Sequence, residues 1–200
     1  MRSENPEPDT KFHAPMIVVS GPAGVGKTTV VERLLAKTRF PLRRAITATT
    51  RSKRPGEVDE FSYHFWTVDQ FRRAIDDGKM LEWEVVHGKD YYGTPRDEVD
   101  GYLAKGVGVI LVIDVKGAAT IRKLYPKDHL SVFIDAPFEE LEARLRSRAA
   151  ESEERIQQRL KSAREEIARA GEFDYTIVNR ELDRAVVELE QLVETRFSIP

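Results

Sequence analysis

One stretch restricts this chain more than any other: Val18-Val19-Ser20-Gly21-Pro22-Ala23-Gly24-Val25-Gly26-Lys27-Thr28-Thr29. Gly21 to Thr28 fits the pattern G-x-x-x-x-G-K-[ST]. Glycines let a backbone curl so that successive N–H groups face one anion. A helix starting behind them adds unsatisfied N–H groups and the positive end of its dipole. Met16-Ile17-Val18-Val19 precedes the loop as an apolar strand, and Val30-Val31 and Leu34-Leu35 follow at helical spacing. That flanking is what separates a phosphate cradle from an incidental glycine turn. The stretch implies a nucleoside triphosphate cradled by Gly21, Pro22, Ala23, Gly24, Val25, Gly26, Lys27, Thr28 and Thr29. Lys27 would reach the outer phosphates, and the Thr28 hydroxyl would ligate Mg²⁺.

Composition narrows the class. The chain has 200 residues, so one domain with lobes inserted in its loops is expected. It has no cysteine, which excludes disulfides, thiolate metal sites and cysteine nucleophiles. His13, His64, His87 and His129 are scattered without ligand spacing, arguing against zinc. The apolar run Val109 to Ile113 is far too short for a membrane span. Residues 1–14 are polar, carry prolines and lack the apolar stretch of a signal peptide, so they read as a flexible tail. The expected location is the cytoplasm. Net charge is −2, which argues against a nucleic-acid partner. Arg43, Arg44, Arg51, Lys53 and Arg54 nevertheless form a local basic run without an acid, suited to a small anion.

Periodicity predicts a strand at 16–19 and a helix at 27–38, then a short strand at 44–47. Phe61 to Trp66 alternates like a half-exposed strand. A helix at 68–77, a strand from Met80 to Val86 and a turn at Gly88-Lys89-Asp90 follow. Beyond a helix at 96–105, Val107 to Ile113 reads as a strand buried on both faces and ends in Asp114. A helix at 116–124, a strand from Leu130 to Asp135 and a helix opening at Pro137 come next. An amphipathic run carries Ile156, Leu160, Ala163 and Ile167, and a strand from Phe173 to Val178 precedes a closing helix from 182. Strands alternating with helices after a phosphate loop predict a parallel sheet with helices on both faces, interrupted by a small mixed lobe.

A phosphate loop alone does not separate GTPases, ATP-driven machines and small-molecule kinases. Asp114 ends an apolar strand, where an acid orients the water ligands of Mg²⁺; a solvated strand-end aspartate is the plainer alternative. Asp114-Val115-Lys116-Gly117 also fits the D-x-x-G of GTPases, but no N-K-x-D segment is present. Arg144 and Arg148 lie four apart beside Leu141 and Leu145, and Arg155 and Arg159 repeat that spacing beside Ile156 and Leu160. Arginines on a hinged helical pair can surround a phosphoryl group in transit and exclude water. Glu139, Glu140, Glu142, Glu151, Glu153 and Glu154 lie near enough for the alternative, a solvated and salt-bridged face.

The inserted segment tips the balance. Thr49-Thr50-Arg51-Ser52-Lys53-Arg54-Pro55-Gly56-Glu57, then Tyr63, then Leu81-Glu82-Trp83-Glu84, then Tyr91-Tyr92-Gly93-Thr94 resembles the guanylate kinase family, from about Met16 to Val193. The resemblance implies an α/β P-loop kinase: a core of 15–46, 97–137 and 165–200, a GMP-binding lobe of 47–96 and a helical lid of 138–164. It implies transfer of the γ-phosphoryl group of ATP to GMP, and to dGMP, in purine nucleotide metabolism and GMP recycling, with Mg²⁺. The partners expected are the small molecules GMP and ATP, with no nucleic acid and no membrane.

By resemblance Arg51, Arg54, Tyr63 and Tyr92 hold the GMP phosphate, and arginine forks suit that chemistry. The Glu82 carboxylate only accepts hydrogen bonds, and guanine offers two adjacent donors where adenine has an unprotonated N1. Thr47 and Thr94 stand where the family contacts guanine, and Asp114 is counted with that site. The resemblance assigns Arg144, Arg148, Arg159 and Lys27 to the ATP phosphates and Asn179 to the adenine pocket. Lys27, Arg54, Arg148 and Arg159 would assist transfer. Two departures stand out: Ala149-Ala150 follows Arg148 where the family has Gly-Thr, and Val112 replaces an acid two residues before Asp114. A binding module that lost turnover is the main rival, and a kinase acting on a sugar phosphate is another. The intact loop and arginines argue against the first, and Glu82 with Arg51 and Arg54 against the second.

Overall fold

The computed structural model describes residues 14–86, 88–147 and 153–197. In chain order they form β1 (Met16–Ser20), α1 (Lys27–Leu35), β2 (Leu42–Arg44), β3 (Ala48–Thr49), β4 (His64–Phe65), α2 (Val68–Asp76), β5 (Met80–Val86) and β6 (Asp90–Pro95). A 3₁₀ turn at Arg96–Glu98 leads into α3 (Asp100–Leu103), β7 (Gly108–Val112), α4 (Val115–Leu124), β8 (His129–Asp135), α5 (Phe138–Ser147) and α6 (Glu153–Ile167). A second 3₁₀ turn at Ala170–Glu172, β9 (Tyr175–Val178) and α7 (Leu182–Phe197) complete them. Among the described residues no helix is long and apolar enough to cross a membrane.

Five strands pair in parallel in the order β2-β7-β1-β8-β9. β1 lies at the centre, and all five of its residues are buried, as a strand covered on both faces requires. Its side chains alternate between two cores. Ile17 and Val19 face α1, α5, α6 and α7 through Val31, Leu34, Leu141, Leu160 and Leu189. Met16 and Val18 face the other side, with Val99, Ala118, Ile121 and Phe173. Each fully buried aliphatic side chain contributes about 1.5–3 kcal/mol of transfer free energy, which fixes β1 and therefore the loop it feeds.

A second, four-stranded sheet has the order β4-β3-β6-β5, with β3 parallel to β4 and antiparallel to β6. Its small core joins Ala48, Phe71, Ala74 and Met80. α2 starts at a capping box: the Thr67 hydroxyl accepts from Gln70 N while the Gln70 side chain accepts from Thr67 N.

The joint between the sheets departs from the sequence reading. A strand was expected at 44–47, but β2 ends at Arg44 and β3 begins at Ala48. Ala45 N still donates to Ile110 O (2.9 Å), whereas Ile46 N donates to the Glu98 carboxylate (3.0 Å). The same carboxylate pairs with Arg43 (2.8 Å) and His64 Nε2 (3.0 Å). Side-chain bonds thus replace the ladder while the chain changes sheets. The Phe61–Trp66 strand shrinks to His64–Phe65, because Phe61 and Ser62 turn back onto Val58 O. The expected helix at 96–105 is broken at Val99, whose ψ of −64° at φ −121° is not helical. Asp90–Pro95, left without a strand in the sequence reading, pairs along the length of β5.

Candidate active site

The carboxyl ends of β1, β7, β8 and β9 share one edge, the usual position of a ligand in an open parallel sheet. The phosphate loop leaves β1 there. Gly21 (φ 139°) could carry no side chain, since a Cβ would come 2.0 Å from Ile134 O. Gly26 (φ 98°) is the N-cap of α1, which has no side-chain cap and no acid in its first turn. The positive helix end is therefore left for an exogenous anion. Lys27 Nζ folds back onto Gly21 O and Pro22 O (3.1 Å), and Thr28 is exposed one residue on.

Neighbouring elements brace this loop. Asn179, buried after β9, donates from Nδ2 to Val25 O (2.8 Å). Arg144 on α5 donates to Asn179 O (3.3 Å) and Glu140 (3.0 Å). Asn179, which the sequence reading assigned to the adenine pocket, is thus engaged with the loop itself. Arg159 sits half-buried on α6. Arg148, with Ala149 and Ala150, lies outside the described residues.

The second sheet assembles the other residues. Glu82 on β5 and Thr94 on β6 are cross-strand partners, and Thr94 Oγ1 donates to Glu82 Oε1 (2.7 Å). Glu82 is only 4 % exposed, and burial pushes its carboxyl up to about 7 against the Thr94 bond. Thr47 is also buried and its carbonyl accepts from His64 N. A buried acceptor with unsatisfied capacity selects a ligand carrying N–H donors.

Arg51 Nε donates to Tyr92 Oη (3.0 Å), and its guanidinium lies 5.1 Å from the Tyr63 ring centroid. Tyr63 meets Tyr92 edge-on at 6.1 Å, and burial raises its hydroxyl pKa. The sequence reading gave Arg51 an open fork for phosphate. In the structure that fork grips Glu57 through two 2.8 Å bonds, and the pairing lowers the Glu57 pKa. Glu57 also accepts from Arg54 N (2.7 Å), while the Arg54 side chain is exposed without a hydrogen-bond partner among the described residues. Sequence reasoning assigned Glu57 no role; its signal was being the first acid after the basic run.

Asp114 caps α4, accepting from Lys116 N (2.9 Å) and Gly117 N (2.8 Å) on Oδ1. Glu166 on α6, also missed, feels Lys27 and Asp114, and burial holds its carboxyl up at about 7. No three acids or histidines cluster as a metal cage among the described residues. Mg²⁺ on a nucleotide needs only one or two protein oxygens, its other ligands being phosphates and water. The exposed Thr28 hydroxyl and the second oxygen of Asp114 meet that requirement, and Ser20 Oγ is buried at the root of the loop with no partner among the described residues. The donor set fits.

The family model for guanylate kinase matches residues 13–196. A guanylate kinase of Symbiobacterium thermophilum is 46 % identical over 179 residues, 89 % of this chain and 83 % of the relative. One from Synechocystis is 43 % identical over 184 residues, 92 % of this chain and 95 % of that protein. The crystal structure of guanylate kinase from Anaplasma phagocytophilum superimposes with a TM-score of 0.77 at 27 % identity, covering 94 % of this chain and 88 % of that one.

Proposed function

This chain belongs to the guanylate kinase family and transfers the γ-phosphoryl group of ATP to GMP, giving ADP and GDP, and on that premise we propose how its residues divide the work. ATP occupies the phosphate loop, with Lys27 leaving its carbonyl partners for the β- and γ-phosphates. Arg144 and Asn179 hold the Val25 end of the loop, and Arg148 and Arg159 supply positive charge from the lid. Thr28 and Asp114, the latter through water, would hold Mg²⁺, which neutralises phosphate charge when bound.

GMP occupies the lobe. Ionised Glu82 accepts from guanine N1–H and the 2-amino group, and Thr47, Thr94 and Asp114 complete the base site. Arg54, whose guanidinium has no competing hydrogen bond among the described residues, forks onto the phosphate. Tyr92 accepts from Arg51 and so turns its own proton outward to the same phosphate, beside Tyr63. Glu57 keeps Arg51 in that pose. The acceptor phosphate is already a nucleophile, so transfer needs no protein base and no covalent enzyme intermediate. It needs alignment and charge neutralisation with water excluded.

The observation that carries this reading is the buried carboxylate of Glu82, whose one hydrogen-bond partner among the described residues is Thr94. dGMP, which keeps the base, is accepted as well, and we place the enzyme in the cytoplasm. ADP release with GMP, dGMP, AMP, UMP and ribose phosphates tests the proposal. Activity confined to the two guanine nucleotides supports it; equal turnover of AMP overturns the role of Glu82, and no turnover at all restores the binding-module alternative.

A further inference from the structure

The base-reading carboxylate is seated on the core, not only within its own lobe. β5 packs against the first turn of α4, and two of its same-face residues meet two consecutive residues there. Glu84 pairs with Lys116 Nζ (2.6 Å). Glu82 lies over Gly117: a Cβ built on Gly117 would come 2.6 Å from Glu82 Oε2 and 3.2 Å from Cδ. The first distance is shorter than real Cβ contacts allow and the second is tight, so any residue but glycine there displaces the carboxylate. Backbone is not what the added atom strikes. The displaced group is the far end of a side chain, so the fold survives while the carboxylate moves.

The turn is itself held rigidly. Asp114 Oδ1 takes the N–H groups of both Lys116 and Gly117, and Val115, Ala118 and Ile121 bury the helix in the core. Glu82 has little freedom to retreat, because Oε1 is tied to the buried hydroxyl of Thr94. One oxygen is thus set by the lobe and the other by the space that Gly117 leaves.

Resting on the assignment of Glu82 to guanine, we propose that Gly117 is a positioning residue for acceptor specificity: the absent side chain on α4 sets where the Glu82 carboxylate meets the base. Gly117→Ala is then expected to raise KM for GMP about tenfold, one lost or misaligned hydrogen bond to a charged group, with kcat within about threefold and KM for ATP unchanged. The decisive measurement is a double-mutant cycle with Glu82→Asp, whose shorter side chain draws back from the added methyl. Gly117→Ala combined with Glu82→Asp should lose less GMP affinity than the product of the two single losses. An unchanged KM for GMP in Gly117→Ala overturns the proposal, as does equal weakening of ATP and GMP or strict additivity in the cycle. If Glu82→Gln leaves GMP use intact, the assignment of Glu82 itself falls. If Glu82→Gln is damaging and Gly117→Ala is silent, only the inference about Gly117 falls.

Discussion

The two regions to which we assign the substrates are built from different material. The phosphate loop is main chain: glycine geometry, exposed amides and a helix start, all within eight consecutive residues from Gly21 to Thr28. The lobe we assign to GMP is side chain: Arg51 and Tyr63 from loops, Glu82 from β5, and Tyr92 and Thr94 from β6 meet only on folding. A phosphate is alike on every nucleotide, and amides suffice for it. A base must be told from its rivals, and that requires a directional, desolvated group whose burial has to be stabilised by its neighbours.

The largest expected effect breaks the loop. Lys27→Met should lower kcat by about 10²–10³-fold, the loss typical of one charge-stabilising donor, with KM for GMP nearly unchanged. A comparable rise in KM for GMP would show that the two regions are not separable. Glu82→Gln comes next. It should reduce kcat/KM for GMP about a hundredfold while leaving KM for ATP within about twofold.

That variant also sharpens the contrast through pH. The folded pKa of Glu82, about 7, lies above its ordinary value of 4.5, so the ligand-free protein binds the extra proton between those values. Stability from this group is complete below pH 4.5 and is lost as pH rises through 7, by about 3 kcal/mol. Glu82→Gln should therefore raise ligand-free stability at pH 8 while ruining GMP use, checked by denaturant unfolding. On the proposed assignment GMP takes the ionised form, so its KM in the native chain should be about tenfold higher at pH 6 than at pH 8, and that slope should flatten in the variant.

Glu57→Gln should have a smaller effect: loss of the charged fork on Arg51 loosens the pose of Tyr92 and raises KM for GMP about three- to tenfold, read by steady-state kinetics. The smallest concerns Glu60, held at φ 60° with its N–H donating to Tyr63 O (3.0 Å). Glu60→Gly should stabilise the chain by about 0.5–1 kcal/mol without changing turnover, as thermal unfolding would report.

The same division explains what could be read in advance. The loop, β1 and the parallel α/β order were legible because contiguous motifs and apolar periods carry them. Tyr91-Tyr92-Gly93-Thr94-Pro95 did not announce β6, since glycine and proline weaken a strand signal that pairing with β5 overrides. The contacts of Asn179 to Val25 and of Glu166 toward Lys27 could not be read in advance, because only folding brings those pairs together, and Glu57, six residues from Arg51, was passed over. The residue types at Glu82 and Arg51 were visible, whereas the commitment of the Arg51 fork to Glu57 was not.

Glu98 has its own consequence. Its carboxyl is held near 2 by His64, Ile46 N and Arg43, so three donors from separate segments depend on one anion. Such a joint works as a rivet. It is sound from neutrality down to the ordinary carboxylate range and fails as strong acid protonates it, so the lobe should peel from the core before either sheet melts.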